Sequence, residues 1–448
     1  MEDLTRGSLS RHLIKMAIPV AVGLFIQTLY FLVDLYFVGR LGGIAIAAVS
    51  SAGSLFFLIL GLTQVLNIGC ASLVANAVGG KDKDRASHIF NQSLRIAILA
   101  TLVLGVLGYG SAGWIFTVLT ADSETKRLAL SYFYWFFPSL LAQFTMTVLG
   151  AGLRGTGIVK PVMIISMLGI LLNILLSPIL IEGWLTGLPL GVVGAGLASS
   201  IAAMLSLFLL ARYCKVKDRY LTVAPFSVAL DMSTVKRILN VGLPAGGEFI
   251  LTFFYMSVIY WALSQFTSQA QAGFGIGIRI MQSLFLPVMA VAFAAPAVIG
   301  QNLGAGNTAR IMQAYRTTAT ITAILMAIIS IVCFFVPQLF VGKFTQDPEV
   351  ILVATGFLSM AAFNFIPAGY VLAASSVFQG LGNTLPSFYS SITRMGVFAL
   401  PVIYLSLTQQ LAIQEIWYLS VFSVYVQALM SYLLVTRALA RISKVTKL

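Results

Sequence analysis

The sequence predicts an all-α integral membrane protein, with twelve transmembrane helices in two six-helix lobes related by an internal parallel repeat. Three observations carry this expectation. Hydrophobic residues make up 59% of the 448 residues and charged residues only 9%, against roughly a quarter charged in soluble domains; so few charges cannot cover a water-soluble surface of this size. Apolar runs of about 20 residues, each long enough to cross a bilayer, recur along the whole chain. The chain also contains itself twice. Pro19 recurs as Pro244, 225 positions on, and the same offset pairs Gly79 with Gly304, Arg85 with Arg310, Gly155 with Gly380, Gly157 with Gly382 and Pro161 with Pro386. Thr120, Asp122 and Glu124 likewise recur as Thr345, Asp347 and Glu349. These are turn-formers and charges at the ends of apolar runs, where backbone geometry is most demanding.

The elements follow in order. The first run, 13–38, is too long for a signal-peptide core and lacks a cleavage site, so it reads as a retained span. The second, 45–76, is long enough to tilt and ends at Gly79, Gly80 and the charges Lys81, Lys83 and Arg85, a turn at headgroup level. Spans 88–113, 128–151, 161–181 and 191–213 complete the first copy. The longest polar stretch, Cys214 to Arg237, reads as a linker carrying a short amphipathic surface helix. Spans 236–263, 271–300, 311–336, 350–377, 386–406 and 415–436 form the second copy. The chain therefore divides into an N-terminal lobe over 1–213, a linker over 214–235 and a C-terminal lobe over 236–448. Six spans per copy is an even number, so both copies enter from the same side, and two fused copies are a usual way to build a pathway between halves.

The formal charge of +13 would point to nucleic acid in a soluble protein. Here the basic residues fall on alternate loops. One side collects Arg6, Arg11 and Lys15; Lys81, Lys83 and Arg85; Arg154 and Lys160; Arg212, Lys215, Lys217, Arg219, Lys236 and Arg237; Arg310; and Arg437, Arg441, Lys444 and Lys447. The other side holds Arg40, Lys126, Arg127 and Lys343 beside Asp122, Glu124, Glu182, Asp347, Glu349 and Glu415. The positive-inside rule then makes both termini cytoplasmic and leaves no call for a nucleic-acid partner. Cys70, Cys214 and Cys333 are too widely spaced for a metal or disulfide framework, and His12 and His88 lack metal-ligand spacing. No nucleotide-binding loop and no catalytic constellation occurs, so neither an enzyme nor direct ATP drive is expected.

Two motifs carry a family resemblance. The first span contains Pro19 and then Asp34, Val38, Gly39, Arg40, Leu41 and Gly42; Leu153, Arg154, Gly155, Gly157 and Pro161 follow the fourth, and the second copy echoes them as Gly380, Gly382 and Pro386. In order, spacing and duplication the whole chain resembles the multidrug and toxic compound extrusion (MATE) family. The resemblance implies two six-helix lobes that open alternately to either side, and export of amphipathic, often cationic, small molecules driven by protons or sodium. It implies no cofactor beyond the coupling ion, a functional monomer, and a prokaryotic inner membrane. The lipid-linked oligosaccharide flippases of the same superfamily are the alternative, although they carry a strongly basic cavity and only Arg279 and Arg394 lie deep here, with Arg95 near a helix end.

Two carboxylates, Asp34 and Glu248, fall deep within the spans, where a charge costs about 2.5–3.5 kcal/mol. Asp34 coincides with the family's coupling aspartate in the N-terminal lobe. The fifth span carries Asn173 and Ser177 one turn apart, and in many relatives the second position is an aspartate. One carboxylate in place of two favours a proton over sodium, which prefers several charged oxygens. Tyr36, Ser199 and Ser200 are candidate neighbours of that cluster. Glu248 lies two turns short of the glutamate of the NorM-type branch, and the tenth-span aspartate of that branch is replaced near Ala368, so the chain resembles the DinF-type branch more closely. Glu248 is expected to pair with Arg279 or Arg394, either structurally or as a second coupling or substrate site. Gln64, Asn67, Gln143, Met146, Met256, Gln282 and Met289 are candidates for a cavity lining, together with aromatic residues such as Tyr30, Phe253 and Phe285.

Overall fold

The computed structural model of the chain describes residues 2–120, 122–217, 220–227 and 229–445. Arg219 and Lys447 fall outside the described residues, as do the side chains of Tyr30 and Lys444. The first copy folds as α1 (Leu9–Gly39), α2 (Gly43–Gly79), α3 (Lys83–Leu119), α4 (Ser123–Gly155), α5 (Lys160–Ile181) and α6 (Val192–Val216). The second folds as α7 (Met232–Leu263), α8 (Ser268–Gly304), α9 (Thr308–Phe335), the short α10 (Pro337–Val341), α11 (Pro348–Gly380), α12 (Leu385–Leu407) and α13 (Ile413–Val445). Among the described residues twelve helices are long and apolar enough to cross a membrane, one for each expected span.

Several helices run past the apolar runs where polar residues cap them. The Asp82 carboxylate accepts the Arg85 amide at 2.9 Å and starts α3. Asp122 accepts the Thr125 amide at 2.8 Å and its hydroxyl at 2.7 Å, which hold its carboxyl below the usual range. Its repeat mate Asp347 accepts the Glu349 amide at 2.9 Å to open α11. Gly157 and Gly382, also repeat mates, take φ of 82° and 71° just past α4 and α11, a left-handed conformation that costs glycine nothing.

Packing divides the chain into two compact units, one of Met1–Asp3 with Val22–Gly242, the other of Leu4–Ala21 with Leu243–Leu448. The boundary falls inside α1 and α7, close to Pro19 and Pro244, so the opening turns of each copy's first helix pack in the other unit. In the first unit α4 is central, against α2, α3 and α6, with α5 on α6. A Cβ on Gly155 would lie 2.9 Å from the Val74 side chain, so α2 and α4 cross nearly in backbone contact. The opening of α7 meets α2 in the same way, a Cβ on Gly242 falling 2.1 Å from the Val65 carbonyl. In the second unit α11 takes the central place, against α8, α9 and α13, with α12 on α13. Gly380 meets Ile299 there, where a Cβ would stand at 2.6 Å; Val74 and Ile299 are themselves repeat mates. The segment before α1 is fastened in this unit, with Leu4 N donating to Gln301 Oε1 at 3.0 Å and the Arg310 guanidinium to the Gly7 carbonyl at 3.0 Å.

The linker departs from expectation. Its ends are taken up by α6 and α7, and between them the described residues hold no helix; residues 220–227 and 229–231 form an irregular strap lying along the first three turns of α3. Asn91 donates to the Thr222 carbonyl at 2.8 Å and accepts the Ala224 amide at 2.8 Å. Gln92 donates to the Ala229 carbonyl at 2.7 Å, and the His88 ring meets the Asp231 carboxylate at 3.1 Å. Asn91 and Gln92 are buried, and burying amides is favourable only with their bonds made, which the strap supplies. Hydrogen bonds from Thr234, then Ser233 and His88, hold the Asp231 carboxyl well below its usual range.

Two outcomes follow from this packing. Gly155→Ala and Gly380→Ala should each destabilise by about 1–3 kcal/mol, with additive losses because the crossings lie in different units; thermal melts of the purified chain check this. Because folding lowers the Asp231 pKa, its contribution is complete above the unfolded carboxylate value near about 4 and is lost as pH falls through the lower folded value. The strap amides of Thr222 and Ala224 should therefore keep the protection Asp231 gives them at neutral pH, and Asp231→Asn should raise their hydrogen exchange there.

Candidate functional site

On α5, Asn173 and Ser177 are buried one turn apart. Ser177 Oγ donates to the Asn173 carbonyl at 2.9 Å and lies 3.3 Å from Asn173 Oδ1. Asn173 Nδ2 donates across to Ser199 Oγ on α6 at 3.2 Å. This bond is short enough to form because α5 and α6 touch at small residues: a Cβ on Gly194 would stand 2.3 Å from the Leu180 carbonyl. Ser200 points elsewhere and bonds the Trp135 carbonyl of α4.

Asp34 is brought to the same depth by an ion pair at the helix ends. Arg40, just past α1, meets Glu182, just past α5, at 2.9 Å. Asp34 stands six residues before Arg40 and Ser177 five before Glu182, about 9 and 7.5 Å down their axes. Asp34 Oδ1 is buried and has no hydrogen-bond partner among the described residues. Asn173, Ser177 and Ser199 thus form one bonded cluster, and Asp34 lies level with it without a bond to it. Tyr36 does not join: it is exposed and stands edge-on to Phe37 at 5.3 Å. A buried carboxylate oxygen lacking a donor can be satisfied by adding a proton or a cation.

In the second unit the expected ion pair of Glu248 is corrected. Glu248 Oε2 accepts a 3.3 Å bond from Ser375 on α11, and Oε1 is buried without a partner. Arg279 lies on an exposed face of α8. The Arg394 guanidinium instead stacks over the Tyr255 ring at 4.3 Å, two turns beyond Glu248 on α7 and so about 10 Å away along its axis. Tyr255 Oη meets Ser420 Oγ at 2.8 Å, and Asn364 donates to Ser420 at 3.3 Å. The sequence reading missed this Arg394–Tyr255–Ser420–Asn364 group, although Tyr255 shares a helix face with Glu248.

One family model, MatE, matches residues 19–179 and again 244–405, together well over half of the chain and in step with the repeat. The chain belongs to the MatE family, the MATE transporters. It is therefore an integral membrane transport protein, not an enzyme. It is 26% identical over 403 residues to "Probable multidrug resistance protein NorM" of Pasteurella multocida, covering 88% of this chain and 86% of that one. It is 24% identical over 400 residues to an FAD transporter of Shewanella oneidensis, covering 89% and 88%. It is also 24% identical over 404 residues to the multidrug export protein MepA of Staphylococcus aureus strain MSSA476, covering 88% and 86%. Two solved structures share the fold at 24% identity and 98% coverage of both chains: a MOP superfamily transporter from Pyrococcus furiosus at TM-score 0.90, and an outward-facing multidrug resistance MATE family transporter at 0.89.

Within this MATE chain the second copy serves as an internal control. The repeat mates of Asp34, Asn173 and Ser177 are Ile259, Phe398 and Val402, all buried in one apolar cluster. The same helices thus pack with no polar group at those positions, so the fold does not require the polar set. Tyr255 packs on Phe398 at 4.6 Å between ring centres, which places this face of α7 against α12, the counterparts of α1 and α5.

The cavity candidates divide by unit. Asn67 donates to Gln64 at 2.6 Å and is itself bonded by Arg154, so both serve an α2–α4 network with an arginine the sequence reading had placed at a loop. Gln143 and Met146 are half-buried on α4, Met256 and Met289 are half-buried in the second unit, and Gln282 is exposed. The Arg40–Glu182 pair yields a test of the site's register: Arg40→Glu and Glu182→Arg should each cost up to about 1 kcal/mol and slow transport, and the double reversal should restore both in melts and efflux assays.

Proposed function

We propose that this MATE transporter is a secondary multidrug antiporter that expels amphipathic, often cationic, small molecules in exchange for protons. The observation that carries the reading is Asp34, a carboxylate with one buried, bare oxygen at the depth of a neutral polar cluster that its own repeat does without. The relatives named for multidrug resistance and export support the substrate class. Protonation of Asp34 would cancel its charge and let it donate to a neutral oxygen on α5, changing how α1 sits there. Deprotonation would reset the site, and a bias of a few kcal/mol suffices to switch a two-state carrier. The oxygens of Asn173, Ser177 and Ser199 at that depth are neutral, which favours a proton over a sodium ion. A flippase reading gains no basic cluster, since Arg394 is stacked on Tyr255 and Arg279 is exposed. The same reading places the chain in a prokaryotic plasma membrane, as a monomer with both termini cytoplasmic.

Ethidium efflux in energised cells lacking other pumps tests it. The wild type should extrude the dye, Asp34→Asn should lose at least tenfold of the rate, and a protonophore but not sodium removal should stop export. Loss of export on sodium removal would replace the coupling ion, and sodium-independent, protonophore-resistant efflux would overturn the antiport.

A further inference from the structure

The strap has a feature that joining two copies does not require. From its root at Ser87 and Asn91 it climbs α3 to Phe226, which lies over Arg95 at 6.0 Å, then returns through Ala229 at Gln92 to Asp231 at His88. The tip is a tight turn closed by the Ser227 amide on the Ala224 carbonyl at 3.2 Å. From Ser87 to Arg95 is eight residues of helix, so the tip stands about 12 Å further along α3 than the root. One turn beyond Arg95 begins the run of exposed apolar side chains on α3: Leu99, Leu102, Val103 and Val106. That run must face hydrocarbon, so the tip sits at the boundary between hydrocarbon and headgroups. Phe226 is 65% exposed and Leu230 43% exposed, both on a segment whose backbone is otherwise held down.

The charge of the segments flanking the strap is one-sided. Residues 212–237 hold six basic side chains and two acidic ones. Arg212, Lys215 and Lys217 at the end of α6, and Lys236 and Arg237 at the start of α7, are exposed, while Asp231 is engaged by Thr234 at 2.5 Å and by His88. Basic loops serve orientation in any membrane protein, but orientation needs neither a pinned turn nor an exposed phenylalanine at its tip. An aromatic wedge at interface depth with several exposed cations at the foot of its strap is the arrangement that binds an anionic lipid surface. The geometry points to the strap as a docking site for anionic phospholipid headgroups of the surrounding bilayer, with Phe226 seated at the upper acyl chains and Lys215, Lys217, Lys236 and Arg237 on the phosphates. Headgroup binding there loads the strap on α3 and makes the chain responsive to lipid composition.

The full chain in nanodiscs tests this with a bimane label on Phe226→Cys, the native cysteines Cys70, Cys214 and Cys333 being buried. Lipids brominated high on the acyl chain should quench the label at least twofold more in phosphatidylglycerol discs than in phosphatidylcholine discs. Quenching equal in the two lipids would overturn the anionic preference. Quenching by aqueous iodide as complete as for a label at Lys343→Cys, an exposed loop position, would overturn the docking altogether. An unlabelled variant guards against damage by the label: Lys215→Gln with Lys217→Gln should lower phosphatidylglycerol affinity by roughly tenfold or more in native mass spectrometry. Unchanged affinity would sink the proposal.

Discussion

Backbone contact between helices at glycine is the interaction on which the rest of this protein depends. In lipid the hydrophobic effect does not drive one apolar helix onto another, because hydrocarbon tails are as good a neighbour as leucine. What remains is dispersion, which is large only when many atoms touch, and the hydrogen bonds that touching backbones bring within reach. Gly155 on Val74 and Gly380 on Ile299 set the central crossing of each unit, and Gly242 on the Val65 carbonyl seats the opening of α7. The α5–α6 contact at Gly194 has a further consequence, since it is close enough for Asn173 to reach Ser199. The polar cluster is thus a product of close packing, not an interruption of it.

The same constraint sorts the buried polar groups. Most are paid for locally, as Ser177 is by the Asn173 carbonyl and Thr322 by the Gly369 carbonyl at 3.2 Å. Where a buried oxygen has no donor, lipid offers none, and the group holds its place at a cost that packing elsewhere must offset. Asp34 Oδ1, Glu248 Oε1 and Asn364 Oδ1 are such atoms. Asn364 is neutral and cannot be relieved by a proton at ordinary pH. The two carboxylates can, which is why they, and not the far more numerous serines and threonines, are the groups that can exchange something with solvent.

The spans, their order and their duplication were legible because each rests on a local rule: about 20 apolar residues to a span, an aspartate before a helix, a left-handed glycine after one. Asp122 and Asp347 could be singled out as repeat mates, and both turned out to be caps. Three features were not legible, each for a physical reason. The strap has no periodicity of its own and is held by Asn91 and Gln92, more than a hundred residues earlier. The Glu248–arginine pair was expected from charge alone, but Arg394 found the face of Tyr255, a choice of rotamer and packing that charge does not determine. The division of α1 and α7 between units leaves no mark in composition, since both halves of each helix are equally apolar.

The two copies share a backbone plan and differ in what they can do with it. In the second, Ile259, Phe398 and Val402 close the contact between the counterparts of α1 and α5 with apolar side chains, so no change of charge can alter it. In the first, the matching position on α1 is a carboxylate, Asp34, level with the bonded set on α5 and α6. Among these matched positions only Asp34 can take up a proton; Glu248, the carboxylate of the second unit, lies elsewhere on α7. The helix that carries Asp34 is α1, whose opening turns, Leu9 to Ala21, pack in the other unit, while Asp34 itself belongs to the first. Near the end of those opening turns lies Pro19, which removes the amide that would bond the Lys15 carbonyl and so weakens the helix at one point. On the antiport we propose, a helix weakened at Pro19 and titratable at Asp34 has the form needed to turn a local change of charge into a bend.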